Sequence, residues 1–545
     1  MTESTDASLA TLLPPRLAAE RAAQNYRMRP TTLVTYISSG RLLIVGCATD
    51  IDELLGQLPV DRPTAVLLND SCSSRLAKQL HGAGIAYVEQ CADIEVSGYF
   101  GAFIVSAVRR GERFETGTLP ASKGAFFDLV LDLNRPPVHP AALPPVGYFA
   151  PAGDPQRLAD ALTDLADLNG EFDKPKFFDF KQDLCAHSSS GVRGCRKCLD
   201  ACATGAISSE NGTIRVNPYL CQGCGDCATV CPSGAMNYAF PGRADNLNRI
   251  RLMLRAFMDA GGVSPILLLH DSGAGKRWLD AARASLSESL IPYEVEALGA
   301  VGIEVWLAAI AYGAAGVMLL KAEPFTPHSE RSLRAEITHA GEILHGLGFH
   351  QFIRVVVPEP LVGEPGVPYS AVATIPPANF SGQDDKRAVV RMAVDHLAAH
   401  AATDREHVDL SPDAPFGALR VDPRRCTLCM ACVTVCPASA LADGKDRPQL
   451  RFIEANCVQC GVCVNGCPEN AITLVPRYRY DSVKARHTVL LHAEPVFACI
   501  RCGKPFATQS MIRTITAKLQ NHPMFQGENR ERLMMCDECR IKEMF

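Results

Sequence analysis

The sequence predicts a multi-unit chain of mixed class, α/β plus α+β: two α/β domains, two cysteine-rich modules and a third cysteine group at the C-terminal end. Three observations carry this. First, 545 residues at a prior of about 150 per domain imply three or four units. Second, the 23 cysteines mostly fall in three sets with long cysteine-free stretches between them, in a chain long enough to bury a core without disulfide staples. Third, short apolar runs alternate with helical patterns in two intervals, the rhythm of sheets covered by helices. Hydrophobic residues at 47% and charged residues at 21% exclude disordered, collagen-like and coiled-coil classes. A net charge of −5 gives no pull toward nucleic acid or an anionic membrane.

The N-terminal stretch MTESTDASLATLLPPRLAAE is polar and acidic, with neither a basic n-region nor a continuous apolar core. It reads as the start of a cytoplasmic protein. Residues 31–133 form the first α/β domain, with strand-like runs at 41–46, 65–68, 85–88, 101–108 and 126–133. Seven prolines make 134–155 a stiff, extended linker, and a helix-like segment follows at 156–168. The first cysteine module occupies 175–240. Residues 262–358 carry the βα rhythm of the second α/β domain: strands at 265–270, 293–298, 316–320 and 352–357, with helices near 276–289, 302–312 and 329–347. Within it, 298–320 runs 23 residues with a single charge, Glu304, long enough to span a bilayer. Gly299, Gly302, Gly313 and Gly316 divide it into a turn, a buried helix and a buried strand instead, so no membrane span is expected. A second proline-rich stretch, 358–377, and an amphipathic helix at 384–400 lead to the second cysteine module, 418–475, and to a tail at 495–545.

The strongest motifs are CTLCMACVTVCP from Cys426 and CVQCGVCVNGCP from Cys457. Each is C-x-x-C-x-x-C-x-x-x-C-P, the run that holds a 4Fe-4S cluster through three thiolates while its fourth cysteine crosses to a partner cluster. Three close cysteines let a tight loop wrap one face of the cubane, and the three-residue gap starts a helix that points the last thiol the other way. Cys426, Cys429, Cys432 and Cys467 thus form one ligand set, and Cys457, Cys460, Cys463 and Cys436 the other. The first module varies the plan. CQGCGDCATVCP from Cys221 is a full match, but its mate has Cys185, nine residues, and then CRKCLDAC from Cys195. The segments CATGAI, CPSGAM, CPASAL and CPENAI are four copies of one exit from the last cysteine. A third set is therefore Cys185, Cys195, Cys198 and Cys231, and a fourth is Cys221, Cys224, Cys227 and Cys202. Structural zinc explains these sixteen cysteines poorly, because zinc sites pair two C-x-x-C knuckles.

Such a pair does stand in the tail. CIRCG at 499–503 and CDEC at 536–539 predict a zinc ribbon with one Zn on Cys499, Cys502, Cys536 and Cys539. Cys47, Cys72 and Cys91 remain, each just past a predicted strand, and are either a three-thiolate site or unlinked buried thiols. The turn HDSGAGKRW at 270–278 lacks the leading glycine of a phosphate-binding loop and has Arg277 in place of Ser or Thr. Helix capping explains it better than a flavin or anion. His328, His339, His345 and His350 read as solvated or core residues.

The two modules closely resemble the bacterial dicluster 4Fe-4S ferredoxin family. The interval 262–358 loosely resembles a domain of the small iron-sulfur subunits found with heterodisulfide reductases and hydrogenases, without that domain's cysteines. The whole chain is similar to iron-sulfur proteins found alongside molybdenum-dependent formate dehydrogenases. The resemblance implies a cytoplasmic polyferredoxin that relays electrons through four 4Fe-4S clusters between a redox protein partner and another carrier. It would be an electron-transfer subunit of an oxidoreductase and not a stand-alone enzyme, with no residue assigned to catalysis. An assembly or redox-sensing factor for a metalloenzyme and a flavin-containing subunit are the rival readings.

Overall fold

The computed structural model describes residues 13–58, 62–119, 126–187, 191–350, 352–358, 375–445 and 447–543. The second proline-rich stretch and the middle of the loop after Cys185 lie largely outside these residues.

Continuous apolar runs become parallel strands buried on both faces. Leu42–Gly46 and Thr64–Leu68 are buried at every position. They lie in a five-stranded parallel sheet ordered Ala86–Val88, Thr64–Leu68, Leu42–Gly46, Leu129–Asp132, Tyr148–Phe149. Leu42, Ile44 and Leu131 face the helices Ala48–Leu54, Ser74–Gly82 and Pro155–Asp167. Leu43, Val45 and Val130 face an antiparallel meander of Ala92–Tyr99, Ala102–Arg109 and Glu112–Glu115. The run read at 101–108 lies in that meander; its burial alternates, as befits a strand covered on one face. The proline-rich 134–155 is not a free spacer, since Tyr148–Phe149 adds an edge strand, the place where neighbouring prolines cost no ladder bond. Leu33–Ser38 pairs with Gly170–Pro175 and leads the chain into the first cysteine module.

The middle interval forms a four-stranded parallel sheet ordered Leu290–Val295, Ile266–Asp271, Gly316–Leu320, Ile353–Val356. Residues 298–320 make a 3-10 turn at Leu298–Ala300, a helix at Ile303–Ala311 buried on every side, and the strand Gly316–Leu320. Helices Arg243–Asp259 and Lys386–Ala399 share its core. Among the described residues no helix is long and apolar enough to cross a membrane.

Each cysteine module repeats one plan. In the first, Phe178–Phe180 pairs with Met236–Tyr238, and Ile207–Glu210 with Thr213–Val216. In the second, Gly417–Val421 pairs with Ile472–Arg479, and Leu441–Gly444 with Arg447–Ile453. A helix of four or five residues carries the third cysteine of each run: Lys197–Ala201, Asp226–Thr229, Ala431–Thr434 and Val462–Asn465.

Candidate iron-sulfur and metal sites

Three of the four runs wrap the same loop. The residues on either side of the middle cysteine are left-handed: Gly223 and Gly225 (φ 78° and 81°), Leu428 and Met430 (53° and 60°), Gln459 and Gly461 (52° and 77°). Left-handed residues at alternate positions turn successive N–H groups inward and make a concavity suited to an anion, as at many iron-sulfur sites. The four exits also share one conformation. Gly205, Gly234, Ser439 and Asn470 each stand three residues after the run's last cysteine, and all are left-handed, with φ of 68°, 72°, 49° and 47°. The N–H groups of Met236, Ala440 and Ala471 then donate to Sγ of Cys231, Cys436 and Cys467, each at 3.3 Å.

The thiols gather across the runs and not within them. Cys436 lines a cavity with Cys457, Cys460 and Cys463. Cys231 lines another with Cys185, Cys195 and Cys198. Cys202 joins Cys221, Cys224 and Cys227 in a third. In the fourth group, burial first and then the neighbouring Cys426, Cys429 and Cys467 push the Cys432 thiol up to about 12. Burial likewise raises Cys195 and Cys460 to about 11 and Cys224 to about 12. Four thiolates in such a pocket require a multivalent cationic core, which binding would couple to their deprotonation. All-sulfur donors, apolar walls and inward N–H groups fit a 4Fe-4S cluster.

The long loop after Cys185 closes on itself. The Cys195 N–H donates to Ala186 O at 2.9 Å. His187 donates from Nδ1 to Cys195 O and accepts at Nε2 from Ser209 Oγ, both at 2.7 Å. Cys185 is thereby returned to its group across the nine intervening residues. Gly194 permits this closure, because a Cβ there would stand 2.2 Å from His187 O and 2.3 Å from Ala186 O. Gly194→Ala is expected to open the loop and release that one site's metal, about four irons by analysis, leaving the second module's visible spectrum intact.

Several neighbours stand outside the cysteine spacing itself. Lys174 Nζ donates to Cys221 O at 2.6 Å and Tyr219 O at 3.0 Å, and burial draws its pKa down to about 8. Asp226, raised by burial, accepts from Ser329 Oγ at 2.6 Å across the module boundary. Thr229 Oγ1 donates to Gly299 O at 2.7 Å, which seats the Cys221 group at the carboxyl edge of the middle sheet. Of the sixteen module cysteines Cys429 alone is exposed.

In the tail, Val496–Ala498 and Pro505–Thr508 form a hairpin whose knuckle is closed by Gly503 N–H to Cys499 O at 2.9 Å. The sulfurs of Cys499, Cys502, Cys536 and Cys539 all lie within 4.8 Å of one another. A tetrahedral ion with Zn–S near 2.3 Å would hold its sulfurs roughly 3.8 Å apart, so modest contraction completes the site. Burial opposes ionisation of Cys499, but N–H groups of Cys502, Cys536 and Arg501 draw its pKa down to about 6.

No other such single-ion convergence of Cys, His, Asp or Glu occurs among the described residues. Cys47, Cys72 and Cys91 are not among that convergence, and Cys72 packs on one face of the N-terminal sheet while Cys91 packs on the other. At the turn after Ile266–Asp271, the Asp271 carboxylate accepts from Gly273 N–H at 2.8 Å and Gly275 N–H at 3.1 Å. The amides that would cradle a phosphate are already occupied by a negative group. His339 is buried in the core side of its helix, whereas His345 and His350 stack at the surface.

Two family models, both described as a 4Fe-4S dicluster domain, match residues 193–235 and 425–472. The chain is similar to the indolepyruvate oxidoreductase subunit IorA of Pyrococcus horikoshii, 35% identical over 81 residues, 14% of this chain and 11% of that protein. It is also similar to hydrogenase-4 component A of Escherichia coli, 48% identical over 40 residues, 7% of this chain and 20% of that protein. The chain thus spans about a tenth and a fifth of the length of these relatives. Repeated loops, crossed thiol groups and matching family models together identify two 4Fe-4S dicluster domains in this chain.

Proposed function

We propose that the chain is an iron-sulfur electron carrier with four 4Fe-4S clusters, held by the four crossed cysteine sets, and one structural zinc on Cys499, Cys502, Cys536 and Cys539. The carrying observation is that three cavities each gather four cysteines from two runs, and that three of the four runs share one left-handed loop. When bound, the clusters supply one-electron redox chemistry. The protein's own residues set the surroundings: N–H donors to Sγ, the Lys174 cation beside Cys221, and apolar walls that keep water out. Two α/β domains, at 31–133 and 262–358, would hold the first module between them. Both similar proteins are named as parts of an oxidoreductase or a hydrogenase. A redox enzyme as partner follows from that; a formate dehydrogenase is the partner suggested by the architecture, in the cytoplasm.

Iron, sulfide and zinc quantitation on anaerobically purified protein tests this reading, with EPR during reductive titration. About sixteen irons, four for each of four clusters, and one zinc are expected. Eight irons or fewer would sink it. A finer test is Gln459→Leu. Gln459 Nε2 donates to Cys457 Sγ at 3.3 Å, a bond that strengthens as the cluster gains negative charge. Leucine already occupies the equivalent position at Leu428. One such bond is worth ~1 kcal/mol, so the midpoint potential of that cluster should fall by up to ~40 mV at the one-electron scale of 59 mV per tenfold. A rise would contradict the assigned polarity of the bond.

A further inference from the structure

The two modules are joined by more than sequence. Arg387, at the start of helix Lys386–Ala399, donates from Nη1 to Pro232 O at 3.4 Å and Pro415 O at 2.9 Å, and from Nη2 to Ala455 O at 3.0 Å and Cys457 O at 2.9 Å. Pro232 follows Cys231 in the first module, and Cys457 opens the last run of the second. The neighbouring Lys386 grips the first module alone, through Ala228 O and Thr229 O. Farther along the joint, Asn465 Nδ2 donates to Arg193 O at 2.8 Å, and Lys197 Nζ donates to Asp413 O. Pro437, beside Cys436, shares a groove wall with Cys185 and His187.

Most of these contacts fall on one cluster site of each module: Arg193, Lys197 and Pro232 stand beside Cys195, Cys198 and Cys231 in the first, and Pro437, Ala455 and Cys457 itself belong to the Cys436 and Cys457 site of the second.

We propose that the four clusters stand in a single line, with the Cys221 and Cys426 groups at its ends, and that Arg387 is the positioning residue that holds the two inner clusters face to face across the module boundary. This rests on the four-cluster reading above. Alternatives in which each module works as a separate carrier leave the joint without purpose. A planar guanidinium suits it, since its fork can serve carbonyls on both sides at once, and it stays charged at neutral pH. One end of the line is enclosed between the middle sheet and the N-terminal unit; the other opens at the exposed Cys429. Electrons therefore pass from module to module inside one chain.

Pulsed EPR on the reduced full-length holoprotein tests the line, comparing the native chain with Cys460→Ala, which removes the second module's inner cluster. In the native chain the first module's signals should show magnetic interaction with a cluster outside their own pair, and Cys460→Ala should abolish it. About sixteen irons in the native protein with first-module signals unaltered by Cys460→Ala would overturn the line and leave the four-cluster reading standing. Iron far below that count would overturn both. In Arg387→Gln, a weakened interaction between modules with iron content and intra-module splitting retained supports the positioning role. An unchanged interaction, or loss of iron from both modules, overturns it.

Discussion

A chain carrying Cys436→Ala is expected to lose about four of the roughly sixteen irons proposed, and adding Cys460→Ala to it should remove no more. Cys436 belongs by sequence to the run that begins at Cys426, yet it lines the same cavity as Cys457, Cys460 and Cys463. If the last cysteine of each run crosses to the partner cluster, Cys436 and Cys460 serve one site, and the second substitution acts on a site already empty. Pairing Cys436→Ala with Cys429→Ala should instead cost about eight irons, because the two residues then serve different sites. Iron analysis on anaerobically purified variants decides the matter. Loss of about eight in the first double variant would place Cys436 with Cys429 and end the crossed assignment.

The second large effect concerns stability. Glu304 is buried at the start of helix Ile303–Ala311, with Arg243 Nε at 2.8 Å and Lys386 Nζ at 3.7 Å. Breaking a buried pair by removing one partner costs about 3–5 kcal/mol. Lys386→Met should fall near the low end, about 3 kcal/mol, because Arg243 still compensates Glu304. The same change frees Ala228 O and Thr229 O, so the first module should lose iron earlier on denaturant addition than the second. Equal midpoints for the native chain and the variant in urea titrations would refute the argument. pH offers a second handle. Burial acts to raise the Glu304 pKa, but Lys386 and Arg243 outweigh it and hold the folded value below the ordinary 4.5. A depressed folded pKa means that the stabilisation is complete above about pH 4.5 and is lost as pH falls through the folded value. Glu304→Gln should therefore flatten the acid limb of the stability profile while lowering stability at neutral pH.

Glu304 also shows why an apolar stretch misleads when hydropathy alone is read. The 23 residues of 298–320 could have crossed a bilayer by length, but the glycines that punctuate them divide a turn, a helix and a strand, and the single charge meets two cations in the core. The parallel strands were legible for a related reason: runs such as LLIVG and AVLL are apolar at every position, which only a strand covered on both faces requires. The strands Leu33–Ser38 and Gly170–Pro175 were not legible, because half their positions face solvent and their partner lies far along the chain. Tyr148–Phe149 was hidden among prolines that the edge of a sheet tolerates.

The candidate sites divide in the same way. Cysteine spacing is a local property, and local chain geometry is enough to write down which thiols can share a cubane. The left-handed residues at Gly205, Gly234, Ser439 and Asn470 are encoded just as locally, by a glycine, serine or asparagine three residues past each run. What the sequence could not supply is the surrounding charge and the joint. Lys174, Lys386 and Arg387 sit in no motif, Asp226 fills a variable position of one, and each acquires its role from a carbonyl or hydroxyl many residues away. The three lone cysteines make the converse case: their positions after three strands suggested a shared site, and the sheet sends Cys72 and Cys91 to opposite faces. The sequence by itself determined the cysteine spacing from which the ligand sets are proposed, because metal-binding loops are short and their spacing is covalent. Only the tertiary structure decided how the two modules meet, because that meeting depends on the start of one helix, Lys386–Ala399, placing adjacent cations against backbone carbonyls of both.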